Sequence, residues 1–320
     1  MTDTPEYRYD AIFDDREHPA LRRRPATGGI ADRASPAEYV FDDEIRLAVN
    51  LALATGRPLL VGGPSGCGKS SLARAVAELT GWSYVERTIT SRLQARDLLY
   101  EIDHLKRLQD AQHGEIRRDE RHYIVPGPLF WAFAPDTARE LLADTDRGAQ
   151  VPAGVKGGAG STVVLLDEID KADPDVPNDL LIPLGQLAFE IAELGKPIEC
   201  AIGAFPFLVL TTNGERDLPP AFLRRCVELR IRPAENSPSG RDKLFAIARK
   251  HGLDLGGETL AKLADAFFAA PRPERREANP AEFLDLARAW RALRLATDAH
   301  PATLKAVLDA ITLGPGPGGR

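Results

Sequence analysis

The sequence predicts an α/β fold: a parallel sheet flanked by helices, followed by a small, wholly helical domain. Three observations predict it. Continuous apolar runs such as "TVVLL" and "FPFLVLTT" have the character of strands buried on both faces of a parallel sheet. A glycine-rich stretch, "GPSGCGKS", stands between an apolar strand and a helix. After about residue 236 the strand patterns stop and helical segments follow one another to the end of the chain.

Each element follows from local pattern. Residues 1–38 are polar and rich in Arg and Pro, and read as an extended arm. "DDEIRLAVNLALATG" is a helix with Asp at its start and Gly at its end. "RPLLVGG" is a short buried strand, "KSSLARAVAELTG" a helix and "WSYVERTI" a second strand. Residues 92–125 are charged, and "DLLYEIDHLKRLQDAQ" reads as helix. "VPAGVKGGAGS" is a flexible surface loop. Between the two strongest strands lie a helix, "VPNDLLIPLGQL", and a hairpin, "FEIAELGKPIECAI", turning at Gly195. "CVELRI" is strand-like. The expected domains are therefore an α/β core over 39–235, a helical domain over 236–313 and a disordered tail over 314–320, "GPGPGGR" included.

Composition narrows the function classes. At 43% hydrophobic and 28% charged, the 320-residue chain has an ordinary soluble composition, with a core large enough for two domains. A net charge of −6 provides no global basic field for nucleic acid. No apolar run approaches the roughly 18 residues of a membrane span, and the N-terminus lacks a secretory pattern. Cys67, Cys200 and Cys226 show no metal spacing and read as reduced thiols in a cytoplasm. The six histidines are scattered, which argues against zinc.

"GPSGCGKS", Gly63 to Ser70, satisfies G-x-x-x-x-G-K-[ST]. The glycines let backbone N–H groups turn inward around phosphate oxygens. Lys69 supplies a point charge to the terminal phosphates, and the Ser70 hydroxyl ligates Mg²⁺. The following helix aims its N-terminal donors at the same anion. Gly63, Pro64, Ser65, Gly66, Cys67, Gly68, Lys69, Ser70 and Ser71 are therefore the candidate phosphate-binding residues. Cys67 reads as a small filler rather than a redox group.

"TVVLLDEIDKADPDVPNDLL" ends a buried strand in Asp167 and Glu168. Asp167 is the candidate holder of Mg²⁺, and Glu168 the residue that orients and polarises an attacking water. Alone, such a strand end is often a solvated loop; at the same sheet edge as a phosphate loop it carries more weight. Asn213 ends the third apolar strand, where an amide can bond both the γ-phosphate and the water. The plainer reading is an Asn turn before Gly214. The guanine-reading N-K-x-D pattern is missing, because Gly214 follows Asn213 and Asp217 lies one residue too far along; adenine is expected.

Over about residues 40–300 these motifs resemble those of AAA+ ATPases, and more narrowly the MoxR type. "DEIDKADPDVPNDLL", "PGPLFWAF" at 126–133, the hairpin around Gly195 and "DLPPAFLRRCVELRI" carry the resemblance. It implies a P-loop NTPase core with a five-stranded parallel sheet, a helical lid, ATP and Mg²⁺ as ligands, and a homo-oligomeric, hexameric ring. It also implies that Arg225, with Arg224 beside it, reaches the γ-phosphate bound to the next subunit as an arginine finger. The local alternative is an ion pair with Asp217 or Glu228. Two departures stand out: the segment 92–125 is more charged than the group's usual pattern, and the lid has no clear small-residue-then-Arg motif. "RREANPAEFLDLARAW" holds its place, with Arg275 or Arg276 as the nucleotide contact and surface ion pairing as the alternative for both.

The function the resemblance implies is an ATP-driven remodeller of a protein client, partnered by a von Willebrand factor A-domain protein. A nucleic-acid motor or loader is the competing class; "EIRRDERHY" and "ALRRRP" favour it, while the acidic balance opposes it. A nucleotide switch in a multiprotein defence or signalling system is a third, and an intact Glu168 and Asn213 argue against an inactive ATPase.

Overall fold

The structure, a computed structural model, describes residues 11–15, 38–115, 119–143, 151–156, 160–201, 204–272, 277–293 and 301–312. In chain order the described elements are α1 (Asp43–Thr55), β1 (Leu59–Gly62), α2 (Lys69–Thr80), β2 (Ser83–Thr88), β3 (Tyr100–Ile102), α3 (His104–Gln112), β4 (Ile124–Pro126), α4 (Pro128–Phe133) and α5 (Pro135–Ala143). They continue with β5 (Thr162–Asp167), α6 (Asp175–Asp179), α7 (Leu181–Gln186), β6 (Ala188–Ile191), β7 (Lys196–Glu199), β8 (Pro206–Thr212), α8 (Pro220–Leu223) and β9 (Val227–Arg230). The last four are α9 (Pro238–Lys250), α10 (Gly257–Ala269), α11 (Pro280–Ala292) and α12 (Pro301–Thr312). None of the described helices is long and apolar enough to cross a membrane.

The described residues divide into two compact units. Of the described residues, the first holds those up to Phe13, Asp43–Gly62 and Val76–Leu229; the second holds those from Asp14 to Asp42, Gly63–Ala75 and those from Arg230 onward.

The first unit is built on a five-stranded sheet in the order β2-β5-β8-β1-β9. β2, β5, β8 and β1 run parallel. The two strongest apolar runs form the inner strands: β5 is buried from Thr162 to Leu166, and β8 from Phe207 to Thr211. Strands covered on both faces have no polar side, which is why they read as continuous rather than alternating patterns. The register aligns Thr88 with Asp167 and Gly62 with Thr212, so four strands finish at one edge. One face of the sheet contributes Leu60, Val164, Leu166, Leu208 and Leu210 to a core shared with Leu129, Phe130 and Phe133 of α4.

Three local expectations are corrected. "DLLYEIDHLKRLQDAQ" is not one helix: β3 pairs antiparallel with β4, and only His104–Gln112 is α-helical. Leu98 and Tyr100 are buried in the core, and the Asp103 side chain accepts from the Lys106 N–H, so the helix begins after them. Tertiary burial overrides the helical propensity of the stretch. The loop from Val151 is tied down over 151–156. The Tyr84 N–H donates to the Gly154 carbonyl at 2.9 Å and the Lys156 N–H to Ser83 Oγ at 3.0 Å, covering the exposed edge of β2. A Cβ on Gly154 would lie 2.3 Å from the Tyr84 carbonyl oxygen, so only glycine permits this approach. Residues 157–159 of that loop lie outside the described residues. The predicted single helix over "VPNDLLIPLGQL" divides into α6 and α7 at Leu180. The hairpin β6–β7 turns at Gly195, with φ of +61°, as predicted.

Part of the N-terminal arm is also anchored. Phe13 is buried, and Asn50 on α1 binds the backbone there as a peptide group would. Asn50 Oδ1 accepts from the N–H groups of Ile12 and Phe13, while Nδ2 donates to the Phe13 and Arg46 carbonyls, both at 2.9 Å. Residues 1–10 and 16–37 of the predicted arm lie outside the described residues, as do residue 313 and the predicted tail over 314–320.

In the second unit α9 to α12 surround a core that includes Leu244, Leu263, Phe267, Phe283 and Trp290. Ser237 and Asn279 cap α9 and α11 by accepting from the N–H groups of Gly240 and Glu282.

Asn50→Ala is expected to destabilise the protein by about 2–3 kcal/mol, because buried backbone groups at Phe13 lose their partner. Asn50→Asp should fall between the two, since a carboxylate accepts but does not donate. Urea unfolding measures both, and an unchanged midpoint for Asn50→Ala would show that the amide does not hold the segment.

Candidate functional site

The chain leaves β1 at Gly62 and enters the glycine-rich loop, which is part of the second unit. Gly63, Gly66 and Gly68 have φ of +153°, +79° and +97°, a region that costs residues with a Cβ. Crowding adds to this: a Cβ on Gly63 would stand 2.5 Å from the Ile231 carbonyl oxygen, and one on Gly66 would stand 2.9 Å from Asn279 Oδ1. The loop thus needs its glycines for both backbone angle and space. Lys69 is largely buried, and its ammonium donates to the carbonyls of Gly63 and Pro64 at 2.8 and 2.9 Å. Ser70 and Ser71 sit in the first turn of α2, where main-chain N–H groups have no intrahelical partner. Ser65 is exposed, Pro64 is half-buried, and Cys67 is buried. Burial pushes the Cys67 thiol up, with the Lys69 charge opposing, so it stays protonated and unreactive at neutral pH.

This loop fits a phosphate group: its glycines form a cradle that a Cβ would fill, a lysine lies within it, and a helix N-terminus follows. Asn279 and Ala281, which approach Gly66, belong to the lid segment singled out in the sequence. Arg275 and Arg276 of that segment lie outside the described residues.

The acidic turn belongs to the first unit. Asp167 closes β5, and its Oδ1 accepts from the hydroxyl of Thr211 on the neighbouring β8 at 2.5 Å. The same Thr211 oxygen accepts from the Glu168 N–H at 2.8 Å. Glu168 itself is left-handed, with φ of 62° and ψ of 50°, a conformation that costs a non-glycine residue about 1–2 kcal/mol. Such strain persists where surrounding bonds over-determine it, and it concentrates at functional sites. Here the bonds are visible. Glu168 Oε1 accepts from Asn213 Nδ2 at 3.2 Å, and Oε2 from Lys171 Nζ at 2.7 Å. The hydrogen bond to Glu168 in turn holds the Lys171 ammonium above its ordinary range.

Asp170 completes the turn from beneath. It is buried, and Oδ2 accepts from the N–H groups of Asn213 and Glu215 at 3.1 and 2.9 Å. Its Oδ1 has no partner among the described residues. Asp167, Glu168 and Asn213, all candidates from the sequence, come together here; Thr211, Asp170 and Lys171 join them without having been candidates. The i, i+3 spacing of Glu168 and Lys171 in "EIDK" was a usable signal; nothing local pointed to Thr211.

The Ser70 hydroxyl in the second unit and, separately, the Asp167 carboxylate in the first are hard oxygen donors, the chemistry that Mg²⁺ prefers. Among the described residues no cluster of three His, Cys, Asp or Glu side chains could hold a metal alone.

Arg224 and Arg225 follow α8 on the surface of the first unit, and both are exposed. Among the described residues neither is ion-paired with Asp217 or Glu228, the local partners considered from the sequence; their own N–H groups donate to the carbonyls of Pro220 and Phe222.

A family profile described as AAA domain (dynein-related subfamily) matches residues 58–226, more than half of the chain. Among solved structures, a mutant RuvB of Thermotoga maritima aligns with a TM-score of 0.45 at 14% identity, covering 83% of this chain and 68% of that one. A candidate ATPase of Cytophaga hutchinsonii aligns with a TM-score of 0.38 at 15% identity, covering 83% and 79%. No curated protein matches the sequence.

Thr211→Val keeps the side-chain shape but removes the hydroxyl that bridges Asp167 and Glu168. The Glu168 N–H loses its acceptor, so a loss of about 1–3 kcal/mol is expected on urea unfolding. Thr211→Ser should recover most of it. Equal stability of Thr211→Val and the unaltered protein would contradict the bridge.

Proposed function

Because the chain belongs to the dynein-related subfamily of AAA domains, we propose that it is an ATP-hydrolysing remodeller of the MoxR type, acting as a hexameric ring on a protein client. The observation that carries the reading is the acidic turn, in which Glu168 is held between Asn213 and Lys171. Both partners are donors, and they keep the carboxylate acceptor-ready. A carboxylate carrying one donor on each oxygen retains lone pairs with which to accept from a water.

In this reading the phosphate loop binds the β- and γ-phosphates of ATP, with Lys69 neutralising their charge. Ser70 and Asp167 would hold Mg²⁺, which supplies Lewis-acid stabilisation of the phosphate oxygens. Glu168 orients the attacking water and accepts its proton as the water oxygen bonds the γ-phosphorus and the bond to the β–γ bridging oxygen breaks, ADP leaving with that oxygen. Asn213 aligns Glu168 and the γ-phosphate. Arg225, with Arg224 beside it, serves the nucleotide of the adjacent subunit. A partner with a von Willebrand factor A domain fits the MoxR type, and this extension rests on the sequence resemblance.

Glu168→Gln should bind ATP with nearly unchanged affinity and hydrolyse it about 10²–10⁴-fold more slowly, because an amide does not accept the proton. Calorimetry and phosphate release measure the two. Loss of binding together with turnover would assign Glu168 to metal or structure instead.

Arg225→Ala should also leave ATP binding intact while lowering hydrolysis by about 10³-fold, the usual worth of an arginine finger. Mixing Arg225→Ala subunits with Glu168→Gln subunits should restore part of the activity, because mixed rings contain interfaces that pair an intact Glu168 with an intact Arg225. An active monomer whose rate is indifferent to Arg225→Ala would overturn the ring and the finger together.

A further inference from the structure

We propose that Arg57 is a positioning residue that fixes the Arg224–Arg225 pair for action outside its own subunit. The proposal rests on the reading of Arg225 as a finger and adds a residue to it. Arg57 immediately precedes Pro58 and β1, far away in sequence from the pair. Its guanidinium nevertheless serves the carbonyls of three consecutive residues. Nη2 donates to the Arg224 oxygen at 2.7 Å and to the Cys226 oxygen at 2.5 Å, and Nε donates to the Arg225 oxygen at 3.3 Å. One residue further on, the Val227 N–H donates to the Pro58 carbonyl at 2.8 Å.

The segment needs such support. α8 spans only Pro220–Leu223, and a helix of one turn gains little from its own hydrogen bonds. The carbonyls that follow it have no helical partner, and a cation is the favourable group to cap them. Phe222 and Cys226 are buried on either side of the pair, anchoring the segment to the core. Between these anchors the backbone is held by Arg57, while the side chains of Arg224 and Arg225 project into solvent. The arrangement orders the backbone beneath two guanidinium groups and leaves the groups themselves for an anion.

Arginine suits this role and lysine does not. A guanidinium carries five donors in one plane and can serve several carbonyls at once, whereas an ammonium is a compact point with three donors. Pre-organisation of this kind matters for transferred phosphate, because a misplacement of about 1 Å costs about 10²-fold in rate.

The test compares Arg57→Ala, Arg57→Lys and Arg225→Ala in the full-length protein. Arg57→Ala is expected to lower the ATP turnover number about 10–100-fold, with ATP affinity by calorimetry within about twofold, and Arg57→Lys should be intermediate. Subunit mixing separates positioning from general structural damage. Arg57→Ala subunits should regain activity when mixed with Glu168→Gln subunits, whose finger is intact. They should gain nothing from Arg225→Ala subunits, which are defective on the same side of the interface. An Arg57→Ala rate equal to the unaltered protein, with Arg225→Ala inactive, overturns the role of Arg57 alone. Full activity in both variants overturns the finger itself. Parallel loss of affinity and rate in Arg57→Ala, or equal behaviour with both mixing partners, makes Arg57 a structural brace only and also overturns the proposal.

Discussion

Three carboxylates crowd into four residues at the end of β5, and each needs donors if the turn is to exist. Asp167 takes the Thr211 hydroxyl, Glu168 takes the Asn213 amide and the Lys171 ammonium, and Asp170 takes two main-chain N–H groups. Most of these donors come from β8 or the residues just after it. The turn is therefore inseparable from the parallel pairing of β5 with β8, which sets Leu166 opposite Leu210. Sliding that register by one residue would turn every side chain of one strand to the opposite face of the sheet and carry Thr211 away from Asp167. The strained backbone of Glu168 depends on the same pairing, because the N–H that anchors it donates to Thr211.

The glycine-rich loop obeys a different constraint. Its glycines are dictated by angle and by space, and the neighbours that take up the space come from its own unit: Ile231, Asn279 and Tyr39. The Asn279 side chain caps α11 through the Glu282 N–H. One side chain thus both caps α11 and limits what can stand at Gly66.

The arginine pair shows how exposed groups acquire definition. Arg224 and Arg225 have solvent around their side chains, yet their main chain is tethered. Buried Phe222 and Cys226 hold the ends, and Arg57 holds the middle. Burial pushes the Cys226 thiol up to about 12, with the charge of Arg57 opposing, so it acts as an apolar anchor.

The classes of element and much of the chemistry were legible in local sequence. The runs that became β5 and β8, the glycines of the loop, the acidic strand end and Asn213 are local patterns, set by side-chain periodicity, backbone angle and donor inventory. The helices after residue 236 are equally local. Tertiary structure alone decided which distant groups meet. Thr211 lies 44 residues from Asp167, and Arg57 lies 167 from Arg224; no spacing rule connects either pair. The same reason explains the failed expectations. Residues 97–102 have helical propensity, yet burial of Leu98 and Tyr100 and pairing with β4 draw Tyr100–Ile102 into a strand. Residues 151–156 have a loop composition but are fixed because β2 presents an edge that needs covering. Local preference is worth tenths of a kcal/mol to about 1 kcal/mol per residue, and burying a side chain or satisfying a strand edge outweighs it.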